Sequence, residues 1–116
     1  MDTLATQRCL PCEGGVPKLT REEAEHNLAM ITGWTLADDV SEINKVFKFK
    51  DFKTALDFTN EIGRIAESEG HHPDIALSWG KVEVRLSTHA VNGLSVNDFI
   101  LAAKIDTIPT SAKSVL

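Results

Sequence analysis

Hydrophobic positions recur at helical spacing in three stretches of the chain and alternate in four. The first helical stretch opens at Thr20-Arg21-Glu22-Glu23, a capping box in which hydroxyl and carboxylate satisfy each other's backbone N–H. Ala24, Leu28 and Ile31 then share a face, and Gly33 stands where a helix would end. Trp34 to Leu36 reads as a short strand, Asp38-Asp39 as a turn, and Ile43 to Lys50 as a second strand with Ile43, Phe47 and Phe49 on one side. Asp51 can cap a second helix reaching about Glu69. Its apolar residues Phe52, Ala55, Leu56, Phe58, Ile62, Ile65 and Ala66 fill an arc of roughly 180°, whereas covering one sheet needs only about 100°. The surplus edge, Phe58 and Ile65, is assigned to a subunit interface in preference to a broader core contact.

Ile75, Leu77 and Trp79 alternate, Gly80-Lys81 turns the chain, and Val82, Val84 and Leu86 alternate again. Ser95-Val96-Asn97-Asp98 is another capping box, opening a helix that runs to about Thr107, before Pro109. The order α-β-β-α-β-β-α, with hairpins joined by a helix, implies an α+β fold. The expectation is two layers: a four-stranded antiparallel sheet with three helices on one face. Residues 1–17, broken by Pro11, Gly14, Gly15 and Pro17, read as a flexible lead-in, and 18–116 as a single domain.

The 12 Lys and Arg against 17 Asp and Glu give a net charge of −5. That balance disfavours a direct nucleic-acid binder or an anionic-membrane binder, since both need basic surface. No apolar run reaches membrane-spanning length, and Met1 to Gly15 does not resemble a secretory signal, so a cytoplasmic location is expected. Cys9 and Cys12 form a lone CxxC without the second Cys/His pair that a zinc site needs, and read as two reduced thiols.

Chemistry concentrates in the histidines, three of which lie between positions 71 and 89. His71-His72-Pro73 follows Gly70 at the expected end of the second helix, which Pro73 helps to stop. A helix C-terminus favours a protonated imidazole. Glu67 lies four residues before His71, and on continuing helical turns both would share one side. His89 follows the fourth strand, so the two loops can meet at one edge of the sheet. Adjacent histidines rarely ligate one ion, and neither an HxH nor an HxxxH pattern occurs, so no metal is expected. The side chains permit acid–base chemistry, with no signature of a nucleophile or a phosphate loop.

The spaced set Glu67, His71-His72-Pro73, Trp79, His89 and Asp98, with Gly33-Trp34, Leu86-Ser87-Thr88-His89 and Gly93-Leu94-Ser95, resembles the pterin-4a-carbinolamine dehydratases from about Leu19 to Ile108. The resemblance implies a cofactor-free enzyme that converts 4a-hydroxytetrahydrobiopterin to quinonoid dihydropterin. It implies that His71 and His89 form the proton-transfer pair, acid and base unassigned, and that His72 binds or handles a second proton. Glu67 would hydrogen-bond the pterin or orient His71, and Asp98 would orient His89. Backbone around Pro73 and from Thr88 through Ala90 to Val91 would cradle the pterin's polar edge. Trp34 would either wall the pocket or pack in the core. The resemblance further implies a homodimer or homotetramer, with a possible protein partner through helix 51–69. The alternatives are a dimerisation cofactor or transcriptional coactivator, and an assembly chaperone.

Overall fold

The computed structural model describes residues 4–10 and 16–109. Its helices are α1 (Arg21–Leu28), α2 (Phe52–Glu69) and α3 (Val96–Asp106); its strands are β1 (Thr35–Leu36), β2 (Ile43–Lys48), β3 (Asp74–Ser78) and β4 (Lys81–Leu86). The strands form one antiparallel sheet in the order β1-β2-β4-β3, the α+β architecture expected from the alternation.

Strand β4 lies between two partners, and its inward residues Val82, Val84 and Leu86 are fully buried. Each contributes about 1.5–3 kcal/mol of apolar burial. Edge strand β3 covers less, and Ile75 and Leu77 are only half-buried. The β3–β4 turn is Trp79-Gly80, one residue earlier than the Gly80-Lys81 expected, because Ser78 pairs directly with Lys81. Glycine is required there: a Cβ on Gly80 would lie 2.9 Å from the Phe49 carbonyl oxygen. Trp79, at the hairpin tip, is 67% exposed.

Both capping boxes form, at Thr20/Glu23 and at Ser95/Asp98, and Asp51 accepts from Thr54 N–H to start α2. Helix α1 stops at Leu28, well short of Gly33, which takes a positive φ in the loop that follows. The surplus edge of α2 needs correcting. Phe58 has zero exposure, with its ring centroid 4.6 Å from that of Phe47 and 5.1 Å from that of Phe49. Ile65 is half-buried against the same core. The apolar side chains that α2 leaves exposed are Phe52 and Leu56, one turn apart. The wide arc therefore serves two neighbours, sheet and solvent, and the periodicity assigned them to the wrong edges.

The described part of the lead-in is bound to the domain. Leu4–Thr6 form a 3-10 turn, Leu4 joins the core, and residues 5, 9 and 10 are hydrogen-bonded to α2 and α3. Cys12 lies outside the described residues. Among those residues no helix is long and apolar enough to cross a membrane.

Candidate active site

Asp74 pairs with Arg85 across the β3–β4 ladder. His71–Pro73, entering β3, and Ser87–His89, leaving β4, therefore lie at the same end of the sheet. The first turn of α3 comes to this end too, with the partial positive charge of its N-terminus.

Gly70 closes α2 in the left-handed conformation (φ 68°), its N–H bonded to the Ala66 carbonyl at 2.9 Å. That residue breaks the helical phase and turns the next two side chains apart. His71 is buried at 5% exposure, with Nε2 2.7 Å from Asp98 Oδ1. The side chain of His72 is 59% exposed, with Nε2 2.5 Å from Glu67 Oε2. Two expected pairings are thereby corrected. Glu67 holds His72 rather than His71, and Asp98 holds His71 rather than His89.

The hydrogens around Asp98 follow from donor counting. Oδ2 accepts from the Thr88 hydroxyl at 2.8 Å and from Ser95 N–H at 3.0 Å. The Thr88 hydroxyl hydrogen is thus used, so its 2.8 Å contact with Ser95 Oγ is donated by Ser95. Ser95 Oγ in turn accepts from Asn97 N–H. Oδ2 is thus occupied by two donors, which leaves Oδ1 to the Nε2 of His71 and fixes the orientation of that ring. Thr88, Ser95, Asn97 and Asp98 are all buried, and every buried side-chain N or O among the described residues has a partner. Such a satisfied network is rigid, because disturbing one member strands the others.

Thr88 also closes a short loop. It forms an antiparallel bridge with Gly93, Thr88 N–H donating to the Gly93 carbonyl at 2.7 Å. Within the loop His89–Val91 form a 3-10 turn and Asn92 takes a left-handed φ of 58°. His89 and Ala90 are exposed at its crest. His89 lines a cleft of about 190 Å³ with Ser41, Glu42, Ser87, Thr88, Asn92 and Gly93. Glu42, at its rim, accepts from Arg85 at 3.2 Å.

Thr88 therefore braces the site from within, its side chain bound to Asp98 and its carbonyl to Val91 N–H. Trp34 takes its core alternative. It is buried, meets Phe47 edge-on, and donates to Asp106 Oδ2 at 3.0 Å. Asp106 lies eight residues beyond Asp98, about 12 Å along α3. Ser41, Glu42 and Asn92 escaped the sequence reading because nothing local marks a loop residue as facing a cleft. Ser95 was legible as a cap and in the Gly93-Leu94-Ser95 match, not as the hydroxyl that meets Thr88. Among the described residues no group of three or more His, Cys, Asp or Glu side chains is arranged to hold a metal ion.

The family model described as pterin 4 alpha carbinolamine dehydratase matches residues 17–108. The chain belongs to the pterin-4a-carbinolamine dehydratase family. A relative from Methylococcus capsulatus that carries the dehydratase name is 46% identical over 110 residues, covering 95% of this chain and 96% of its own. One from Rubrobacter xylanophilus with the same name is 43% identical, covering 93% of this chain and 100% of its own. A crystal structure of a transcriptional coactivator/pterin dehydratase from Brucella melitensis superposes with a TM-score of 0.74 at 36% identity, covering 78% of this chain and 96% of that one. In this family member the buried His71–Asp98 pair, the solvent-facing His72–Glu67 pair and His89 at its cleft all belong to one end of the sheet.

Proposed function

We propose that the protein dehydrates a 4a-hydroxytetrahydropterin to a quinonoid dihydropterin by histidine acid–base catalysis. The C4a–O bond breaks, the departing hydroxyl takes a proton and leaves as water, and the N5 proton passes to a base. His71 and His89 are the proton-transfer pair, and His72, held by Glu67, is the second proton-handling or binding group. Pro73, Ala90 and Val91 supply backbone to the ring, while Asp98 and Thr88 hold His71 in register. The observation that carries this reading is the 2.7 Å His71–Asp98 contact, buried at the sheet end that also presents His89. Each well-placed acid or base is worth about 10²–10⁴-fold, enough for an elimination that already proceeds unaided. No metal or organic cofactor takes part.

The same reading places the protein in the cytoplasm, in recycling of tetrahydrobiopterin, as a homodimer or homotetramer with one dehydratase domain from residue 18 onward. A second reading, binding of a protein partner through α2, is favoured by the exposed Phe52 and Leu56 and by the coactivator named in the Brucella relative.

The test follows quinonoid dihydropterin formation from freshly generated substrate, chelator present, for wild type, His71→Ala and His89→Ala. Chelator-resistant acceleration, lost by orders of magnitude when both histidines are changed, is expected. A folded wild type that does not exceed the uncatalysed rate would overturn the enzyme reading in favour of the α2 partner.

A further inference from the structure

The segment 4–10 is tied to the elements that carry the His71–Asp98 pair by the buried Asn97 and the partly buried Glu69. Asn97, with zero exposure, makes a two-pronged contact with one backbone unit. Its Oδ1 accepts from Leu10 N–H and its Nδ2 donates to the Leu10 carbonyl, both at 2.7 Å. Its own carbonyl accepts from Cys9 Sγ at 3.7 Å. On the other side, Glu69 Oε1 accepts from Cys9 N–H at 2.8 Å. Lys104 completes the clasp: Nζ donates to the Ala5 carbonyl at 2.8 Å and lies 3.6 Å from Glu69 Oε2.

These anchors sit beside the pair in the chain. Asn97 immediately precedes Asp98, and Glu69 is separated from His71 only by Gly70. Asn97 N–H also donates to Ser95 Oγ, inside the network around Asp98. The segment thus bridges the end of α2, which delivers His71, and the first turn of α3, which delivers Asp98. A 2.7 Å contact between side chains on two elements depends on the spacing of those elements, and a misplacement of 1 Å can cost about 100-fold in rate.

We infer that Asn97 and Glu69 are positioning residues for the His71–Asp98 pair, acting by clamping Cys9 and Leu10 across the junction of α2 and α3. Neither touches the substrate; each sets the distance between elements that do the chemistry. The inference deepens the dehydratase reading and rests on it for its kinetic consequence. Its structural consequence stands independently.

The test uses the full chain with Asn97→Ala, Asn97→Asp, Glu69→Gln and, as a control on the same segment, Leu4→Ala. Two readouts are taken well below each variant's Tm: kcat and KM for dehydration, and the ¹⁵N resonances of the His71 imidazole, assigned by their loss in His71→Gln. Asn97→Ala is expected to lower kcat about 10-fold or more while KM changes little, and to shift or broaden the His71 resonances. Glu69→Gln, which keeps an acceptor for Cys9 N–H, is expected to do less on both. Leu4→Ala should lower Tm and leave both unchanged. If Asn97→Ala does not fold, Asn97→Asp takes its place, since it keeps the Leu10 N–H bond and loses the other. Resonances and kcat that stay at wild-type values in a folded Asn97 variant with lowered Tm would overturn the inference and leave the segment a stabiliser only. Resonances that move in a protein without dehydratase activity would support the clamp and sink the enzyme reading instead.

Discussion

Glu67 and His72 meet at 2.5 Å across the end of α2, five residues apart and both largely exposed. An exposed ion pair contributes little to folding, about 0–1 kcal/mol. His72→Ala and Glu67→Gln should therefore leave urea unfolding within about 1 kcal/mol of wild type. If the pair handles a proton of the substrate, the dehydration rate falls 10-fold or more, up to about 100-fold. Loss of stability without loss of rate would place the pair outside the chemistry.

The buried pair should behave oppositely. Asp98→Ala removes the partner of His71, the acceptor of Thr88 and the far half of the α3 capping box together. Removing one partner of a buried pair costs about 3–5 kcal/mol, so rate and stability should fall in the same variant. Chemical denaturation beside steady-state kinetics measures both.

Glu69 gives acid stability a defined slope. Burial alone would raise its carboxyl, but the Cys9 N–H and the Lys104 ammonium outweigh that and hold it below the ordinary range. Between the two values the unfolded chain binds more protons, so stability rises with pH. The contribution is whole above the unfolded value, about 4.3, and is lost as pH falls through the lower folded value. Unfolding free energies from pH 6 down to 3 should drop more steeply for wild type than for Glu69→Gln.

The Cys9 thiol works at the alkaline end. Burial, followed by the charge of Glu69, pushes it from 9.0 up to about 12. The folded state then retains a proton that the unfolded chain gives up, so this term favours folding less as pH climbs from 9 towards 12. At pH 8, alkylation of Cys9 in the native protein should be far slower than in urea, as peptide mass spectrometry would record. Equal rates would mean that the segment 4–10 is not held.

The two faces of α2 make a paired prediction. Phe58→Ala empties a core site against Phe47 and Phe49 and should cost about 3–5 kcal/mol. Phe52→Ser with Leu56→Ser should leave the fold standing. If α2 is an association surface, that double variant sediments as a smaller species than wild type; unchanged sedimentation would remove this face from the assembly.

What the chain made legible follows the range of the interactions involved. Caps and strand alternation act over a few residues, and Thr20, Asp51, Ser95 and the run Val82, Val84, Leu86 read correctly. Strand order and the neighbours of α2 depend on distant segments, so Phe58 was placed at an interface when two rings, Phe47 and Phe49, pack against it in the core. The Glu67 pairing failed for a local reason, whereas that of Asp98 with His71 spans 27 residues. Extending the helix through Gly70 aligns Glu67 with His71, but a left-handed residue there rotates the chain and gives Glu67 to His72. The binding of residues 9 and 10 carries no periodic signature, because Asn97 and Glu69 recognise backbone rather than side chains.

The loop tied off by the Thr88–Gly93 bridge has a practical consequence for building such a site elsewhere. Residues 88–98 carry an exposed imidazole, the hydroxyls that orient a carboxylate, and the carboxylate itself, all braced by contacts within the same stretch. The stretch orients its own carboxylate, so a recipient scaffold would have to supply an inward-facing histidine together with the backbone that Asn97 clasps. The length of the stretch, by contrast, is not negotiable, since one residue more or fewer between the bridge and the cap would slide Asp98 off Thr88.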